Sequence, residues 1–299
     1  MRVGEQRQQE TEGMRYISNE LGFSFVRQRL LITMRFIRYP GGKSRLLYFL
    51  SDYLPPAKRI RGIYIEPFVG GGSVFFHVNP KNAILSDLNP ELITLYRGIR
   101  NFPHKVWEYF RDFPAGKESY YRIREKDMSD RKSYYKAART LFLNRTCFKG
   151  MWRHNSDGMF NVGYGGEERR WVIDHQNIIE LSFRLRSATI QNEDFETVIN
   201  KANGGDFIFM DPPYKPGKKD LDESHYSIAR FPFAEQIRLA STLKAIPKSK
   251  RVRWAMTNSS HKDIKKLYEG FVIRKIPVGT SDRPGIQTSK SGEVLITNY

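Results

Sequence analysis

The stretch FIFMDPPYKP, residues 207–216, is an apolar run that stops abruptly at an acid, two prolines and a tyrosine. Phe207 to Met210 reads as a central strand, and Pro212 and Pro213 cannot continue its hydrogen-bond ladder. The strand must end there, and the carboxyl ends of strands are where open α/β sheets bind ligands. A plain strand-end turn with an acidic flank would explain the same residues, because X-Pro pairs usually mark turns. The rest of the chain decides between the two.

From Met34 onward the elements alternate. The segment SRLLYFLSDYL (44–54) sets Leu46, Leu47, Phe49, Leu50, Tyr53 and Leu54 at helical spacing, which predicts an amphipathic helix. GIYIEPF (62–68) predicts a strand, followed by a glycine turn, VGGGSVFFHV, running into a helix. NAILSD (82–87) predicts a second strand, and NPELITLYRGI a helix with Asn89 as N-cap and Pro90 in the first turn. This strand–helix–strand–helix order points to an α/β fold built on a doubly wound parallel sheet. Residues 101–186 break the pattern: they are rich in Arg, Lys, Tyr and Asn, with RKSYYKAARTLFLNR as the clearest helix. Sheet logic resumes in SATIQNEDF, DFIFMDPPY, RVRWAMTN and GEVLITNY. The expected organisation is one α/β domain, 34–100 with 187–299, carrying an inserted basic lobe at 101–186. Residues 1–33 form an N-terminal extension.

Composition bounds the partners. In 299 residues, 50 Lys and Arg face 32 Asp and Glu, a net charge of +18 that points to a polyanion, since neutralised phosphates release counterions. An anionic membrane is the competitor, but no basic amphipathic anchor or long apolar run stands out. The start lacks the apolar core of a secretory signal, so a cytoplasmic protein is expected. The one cysteine, Cys147, excludes an internal disulfide and a cysteine-rich metal site, and no metal is expected. Nothing about Cys147 suggests a nucleophile rather than a packed small residue.

Three features of the sheet edges support one another. Glycines directly after the strand ending in Glu66 let backbone approach a ligand. Asp87, 21 residues beyond Glu66 at the tip of the next strand, suits the two hydroxyls of a ribose. RYPGGKSRL (38–46) ends like a phosphate-binding loop, but that motif needs glycine at 37, where Ile37 stands. What remains is a glycine turn with Lys43 opening a helix, placed to hold a small carboxylate. A ligand with a ribose, an adenine and an amino-acid carboxylate matches all three features, and S-adenosylmethionine has those parts.

A methyl donor gives the opening stretch a task. An exocyclic amine on a base is a poor nucleophile, because its lone pair is delocalised into the ring. The Asp211 carboxylate and the Pro212 carbonyl, accepting from its two hydrogens, would draw the nitrogen toward tetrahedral geometry and stabilise developing positive charge. The prolines hold that carbonyl rigidly, and Tyr214 offers a face on which a flipped base can stack.

These residues resemble the DNA adenine methylase family of N6-adenine methyltransferases, from about Met34 to Tyr299. The resemblance rests on RYPGGK, EPFVGGGSVF, SDLNPELITLY, LFLNRTCFKGMWRHNSDGMFNVGYG, DPPY and GEVLITNY, in the family's order. It implies a Rossmann-like methyltransferase fold and S-adenosyl-L-methionine as cofactor. Tyr39 and Lys43 would flank that cofactor, with Glu66, Phe68 and Gly70 near its methionine part and Asp87 on its ribose. Asp194 and Phe195 would contact its adenine, and Asp211, Pro212, Pro213 and Tyr214 form the catalytic loop. The inserted lobe matches the family's target-recognition domain. Asn144, Arg145, Arg153, Asn155 and Asn161 are its candidate DNA contacts, joined by Arg38. Double-stranded DNA is the implied partner, a cognate restriction endonuclease a further candidate, and the assembly a monomer or weak dimer. The chain departs from the family at Arg38 and Tyr39, at Gly163 where proline is commoner, and in a charged linker at 215–227. An RNA adenine methyltransferase would share the catalytic loop. A glutamine methyltransferase would carry Asn at 211, and a non-catalytic DNA-binding module would have no use for cofactor motifs.

Overall fold

An apolar run without alternation suits a strand covered on both faces. Phe207–Met210 (β4) is buried along its whole length near the centre of a seven-stranded sheet. The computed structural model describes residues 36–155, 158–214, 231–277 and 292–299. The expected N-terminal extension and the charged linker lie outside the described residues. Phe36–Tyr299 form one compact unit.

Beside β4 run β1 (Tyr64–Glu66), β2 (Ala83–Ser86), β3 (Ala188–Gln191), β5 (Arg253–Ser259), β6 (Val272–Lys275) and β7 (Glu293–Thr297), in the order β3-β2-β1-β4-β5-β7-β6. The first five in that order are mutually parallel. β7 is antiparallel to both β5 and β6, so the expected all-parallel sheet carries one reversed strand, β7, inserted between β5 and the edge strand β6. β6 escaped the sequence reading. It is an outer strand exposed at both ends, so it carries no buried apolar run.

The predicted helix at 44–54 is much shorter than its periodicity suggests. A 3-10 turn at Lys43–Arg45 leads into α1, Leu47–Leu50. Ser51 Oγ donates back to Leu47 O, and Pro55 biases Leu54 away from helical backbone. Next come α2 (Ser73–Val78) and α3 (Pro90–Asn101), the latter capped as expected: Asn89 Oδ1 accepts from the amides of Glu91 and Leu92. The basic segment adds α4 (Pro103–Asp112), α5 (Lys117–Glu125), α6 (Ser133–Thr146) and α7 (His175–Leu185). The chain continues with α8 (Phe195–Asn200), α9 (Phe233–Ala245) and α10 (Lys262–Leu267).

One face of the sheet is covered by α8, α9 and α10, whose Val198, Leu239, Leu243 and Ile264 meet Ile208, Met210, Trp254 and Met256. α3 reaches the sheet edge, where Arg97 and Arg100 donate to the carbonyls of Ile190 and Ala188 on β3. α6 packs chiefly on α3 and α4, so the lobe is seated on a helix of the sheet layer.

Candidate active site

Parallel register brings three acids to one edge of the sheet. Tyr64 pairs with both Ala83 and Phe207, so Glu66 at the end of β1, Asp87 just past β2 and Asp211 just past β4 emerge together. Met210 pairs with Met256, which sets Thr257 of β5 beside Asp211. Thr257 Oγ1 donates to Asp211 Oδ1 at 2.7 Å, and Lys43 Nζ pairs with Oδ2 at 2.7 Å.

These groups line a cavity of about 540 Å³, within the usual range for small-ligand sites. Tyr39, Lys43, Glu66, Phe68, Gly70, Asp87, Phe195 and Asp211 to Tyr214 all line it, together with Phe231 and Glu293. Gly70 is required twice over: its φ is +45°, and a Cβ there would stand 3.0 Å from the Tyr39 ring. Its amide donates to Asp87 Oδ2, while the Asn89 amide donates to Oδ1. Burial pushes the Asp87 carboxyl up to about 6 despite those two bonds. Burial raises Glu66 further, to about 8, with Tyr64 Oη donating to its Oε2 at 2.7 Å and opposing the shift. Glu293, at the start of β7, is also raised, first by burial and then by Asp211, with Lys43 opposing.

Two expected roles change. Lys43 was expected to hold a ligand carboxylate. Its nitrogen is instead engaged within the protein, on Asp211 and on Gly41 O at 2.6 Å, and lies 4.9 Å from the centroid of the Tyr214 ring. The expected adenine-contacting pair also divides. Phe195 lines the cavity, packed at 5.4 Å against Phe68 and 5.9 Å against Phe231. Asp194 does not line it: both its oxygens accept from the Arg238 guanidinium, at 2.7 and 2.8 Å, and Oδ1 caps α8.

The basic lobe sorts its candidates differently. Asn144 and Arg145 were expected to contact DNA, but both are buried in α6. Asn144 uses its amide twice on the Arg38 backbone, accepting from N at 2.8 Å and donating to O at 2.7 Å. Arg145 Nε donates to Arg169 O at 2.8 Å, and burial followed by the charges of Arg38 and Arg169 lowers its guanidinium to about 10. Ordering the fold has claimed both side chains. The other three candidates come together on one hairpin, where His154 bridges Phe160. Arg153 Nε donates to Asn161 Oδ1 across it, and Asn155 Oδ1 accepts from Met159 N at the tip. All three are half-buried, and Met159 is 62% exposed. Arg38 is also half-buried, its side chain lying where any Cβ on Gly150 would fall. Cys147 is packed, and burial pushes its thiol up to about 12, away from the thiolate form.

Thr257, Phe231 and Glu293 were missed. Glu293 opens a buried strand, a position where an acid costs stability unless it is used, and that signal stood in GEVLITNY. Thr257 had none, since only the β4–β5 register reveals it.

The cavity, its acidic lining and the Asp-Pro-Pro-Tyr wall define a methyltransferase. The chain belongs to the D12 class N6 adenine-specific DNA methyltransferase family, which it matches over residues 39–279. It is 34% identical over 284 residues to the type II methyltransferase M1.LlaDCHI of Lactococcus lactis subsp. cremoris, covering 91% of this chain and 98% of that one. It is 33% identical over 285 residues to the type II methyltransferase M.MjaIII of Methanocaldococcus jannaschii, covering 88% and 98%. With a DNA adenine methylase of Haemophilus influenzae it shares 29% identity over 251 residues, covering 82% and 86%. Among the described residues no helix is long and apolar enough to cross a membrane, and no cluster of three or more His, Cys, Asp or Glu could hold a metal ion.

Proposed function

We propose that this cavity binds S-adenosyl-L-methionine and that the Asp211–Tyr214 loop presents to it N6 of an adenine flipped out of duplex DNA. One observation carries the reading: a chain of net charge +18 lines this cavity with four acidic side chains, Glu66, Asp87, Asp211 and Glu293, against Lys43. Such a lining favours a cationic ligand in a low-dielectric site.

The residues fit the cofactor. Asp87 spends one lone pair of each oxygen on backbone amides, and the others remain for a ribose diol. Phe68, Phe195 and Phe231 form an aromatic wall for an adenine ring. Glu66, held by Tyr64, suits an ammonium. When bound, S-adenosylmethionine supplies an electrophilic methyl group on a sulfonium.

The protein's own task is to orient the acceptor. Thr257 and Lys43 fix the plane of the Asp211 carboxylate, which still has lone pairs for one N6 hydrogen. The Pro212 carbonyl takes the other, so positive charge developing on the nitrogen meets two prealigned acceptors. Residues 101–186 serve as the target-recognition lobe on the domain formed by 34–100 and 187–299. Arg38, Arg153, Asn155 and Asn161 are its proposed DNA contacts. The relatives named type II methyltransferases support pairing with a restriction endonuclease.

Long-read sequencing of DNA from a methylation-deficient host expressing the chain tests the reading. N6-methyladenine at one short motif is expected. A host genome free of the modified base, with the folded protein present, would overturn it.

A further inference from the structure

The catalytic loop is gripped from two successive residues of β5. Thr257 holds Asp211 directly. Its neighbour Asn258 points to the other face of the strand and is fully buried. Asn258 Nδ2 donates to Gln236 Oε1 at 3.0 Å, and Gln236 Nε2 donates to Pro213 O at 2.7 Å. Gln236, on α9, is also fully buried. The run of bonds has one polarity, since Asn258 Oδ1 is already taken by the Ser259 amide at 2.7 Å. Asn258 can therefore only donate toward Gln236, and Gln236 must turn its amide nitrogen to Pro213.

Two buried amides are costly unless they are satisfied, and an aliphatic pair would pack α9 against β5 without them. Their pairing ends on a backbone carbonyl of the loop that carries the chemistry. The proline ring locks φ at Pro213, so an anchored Pro213 carbonyl leaves one soft torsion between the anchor and the Pro212–Pro213 peptide plane. That plane contains the Pro212 carbonyl oxygen, the second acceptor for the amine.

We infer that Gln236 and Asn258 are positioning residues for methyl transfer, aiming the Pro212 carbonyl at the substrate amine through the bond from Gln236 to Pro213. The inference rests on the proposed methyl transfer to adenine. A misaimed acceptor acts on the chemical step, and misplacement of about 1 Å can cost about a hundredfold in rate. The proposed cofactor contacts Glu66, Phe68, Asp87 and Phe195 lie at the ends of β1 and β2 and the start of α8, on other elements than this pair, while Phe231 lies five residues before Gln236.

The test uses the full chain, Gln236→Leu, which keeps bulk and removes the donors, and Asn258→Asp, which forces the Gln236 amide to turn its oxygen toward Pro213. Single-turnover methyl transfer to a duplex containing the recognised site is measured per cofactor-binding site, the sites being counted by titration with sinefungin. Both variants should lose about tenfold to a hundredfold in the transfer rate. Sinefungin and duplex affinities should stay within about twofold. Gln236→Glu fills the same space and can donate to Pro213 O only when protonated, so its transfer rate should fall with that of Gln236→Leu at high pH and recover as the pH is lowered, where Gln236→Leu should not. If one variant does not fold, the others report on the same bond. Unchanged transfer per binding site in the folded variants, against an active wild type, would overturn the inference and reduce the pair to packing. A wild type inactive on every duplex would overturn the parent reading instead.

Discussion

The cavity and the basic lobe spend charge in opposite ways. Around the cavity, Glu66, Asp87 and Glu293 are forced together by strand register, and burial holds each above its ordinary range. In the lobe, cations that look from the sequence like a DNA-binding surface are partly drawn inward. Arg139 donates to Ile123 O and Arg124 O, Arg145 to Arg169 O, and Arg170 to the carbonyls of Phe110, Arg111 and Phe113 at the end of α4. The acids keep lone pairs that the fold leaves for a ligand, whereas these arginines spend donors on backbone carbonyls. A net charge of +18 therefore overstates the surface left for phosphates. The acidic site, small in the total, is the better guide to chemistry.

The sharpest break in this comparison is Asp211→Ala. It removes one of the two proposed acceptors while leaving the cavity walls in place, and strips Lys43 and Thr257 of their shared partner. Methyl transfer should fall by about a hundred- to thousandfold or more, with sinefungin affinity changed only a few-fold. A folded variant with near-normal turnover would remove Asp211 from the chemistry.

Asp87→Ala should act on affinity rather than rate. A lost charged contact to the ribose is worth about 1.5–3 kcal/mol, or about ten- to a hundredfold weaker cofactor binding. The substitution also frees the Gly70 and Asn89 amides, so Asp87→Asn, which can keep one acceptor, should lose less. Calorimetric titration separates them, and equal affinity in all three proteins would refute the ribose role.

What the sequence could show follows from how local each signal is. β4, its proline stop, the Asn89 cap and the succession of strands and helices along the chain were legible because each is written in adjacent residues. Asp87 was legible through spacing alone. Thr257, Gln236 and the engagement of Lys43 by Asp211 were not, because each depends on register or packing between segments far apart in the chain. Asn144 and Arg145 misled for a related reason. Residue type says that an arginine can bind phosphate, but only packing says whether a backbone carbonyl has already taken it. The shortened α1 and the reversed strand β7 were likewise decided by neighbours rather than by periodicity.

The lobe itself can be divided by two arginines. Arg145→Ala should destabilise the fold by about 1–3 kcal/mol, because a buried guanidinium and its carbonyl partner are lost. Arg153→Ala, on the half-buried hairpin, should leave thermal stability nearly unchanged. It should instead weaken discrimination at one base position by about 1–3 kcal/mol, or lower the salt slope of binding by about one. Melting curves and methylation of a single-substitution site library score both. Equal loss of stability in the two variants would erase the distinction.

The smallest effect lies in protons. Glu66 is raised from 4.5 to about 8 and Asp87 from 3.8 to about 6, so the folded free protein binds more protons than the unfolded chain between those limits. Both groups favour the fold most at low pH, and their contribution is lost as pH rises through about 6 for Asp87 and about 8 for Glu66. At pH 7 Glu66 is therefore mostly protonated in the free protein. A cationic ligand against it favours the carboxylate, so binding should release up to about one proton and tighten as pH rises toward that value. Sinefungin titrated at pH 7 in phosphate and in Tris should give different enthalpies, with the difference reporting the proton. Glu66→Gln should shrink that difference while leaving the ligand's own ionisation in place. Identical buffer dependence in wild type and Glu66→Gln would mean that Glu66 does not face the cation, and the acidic lining would lose its most buried member.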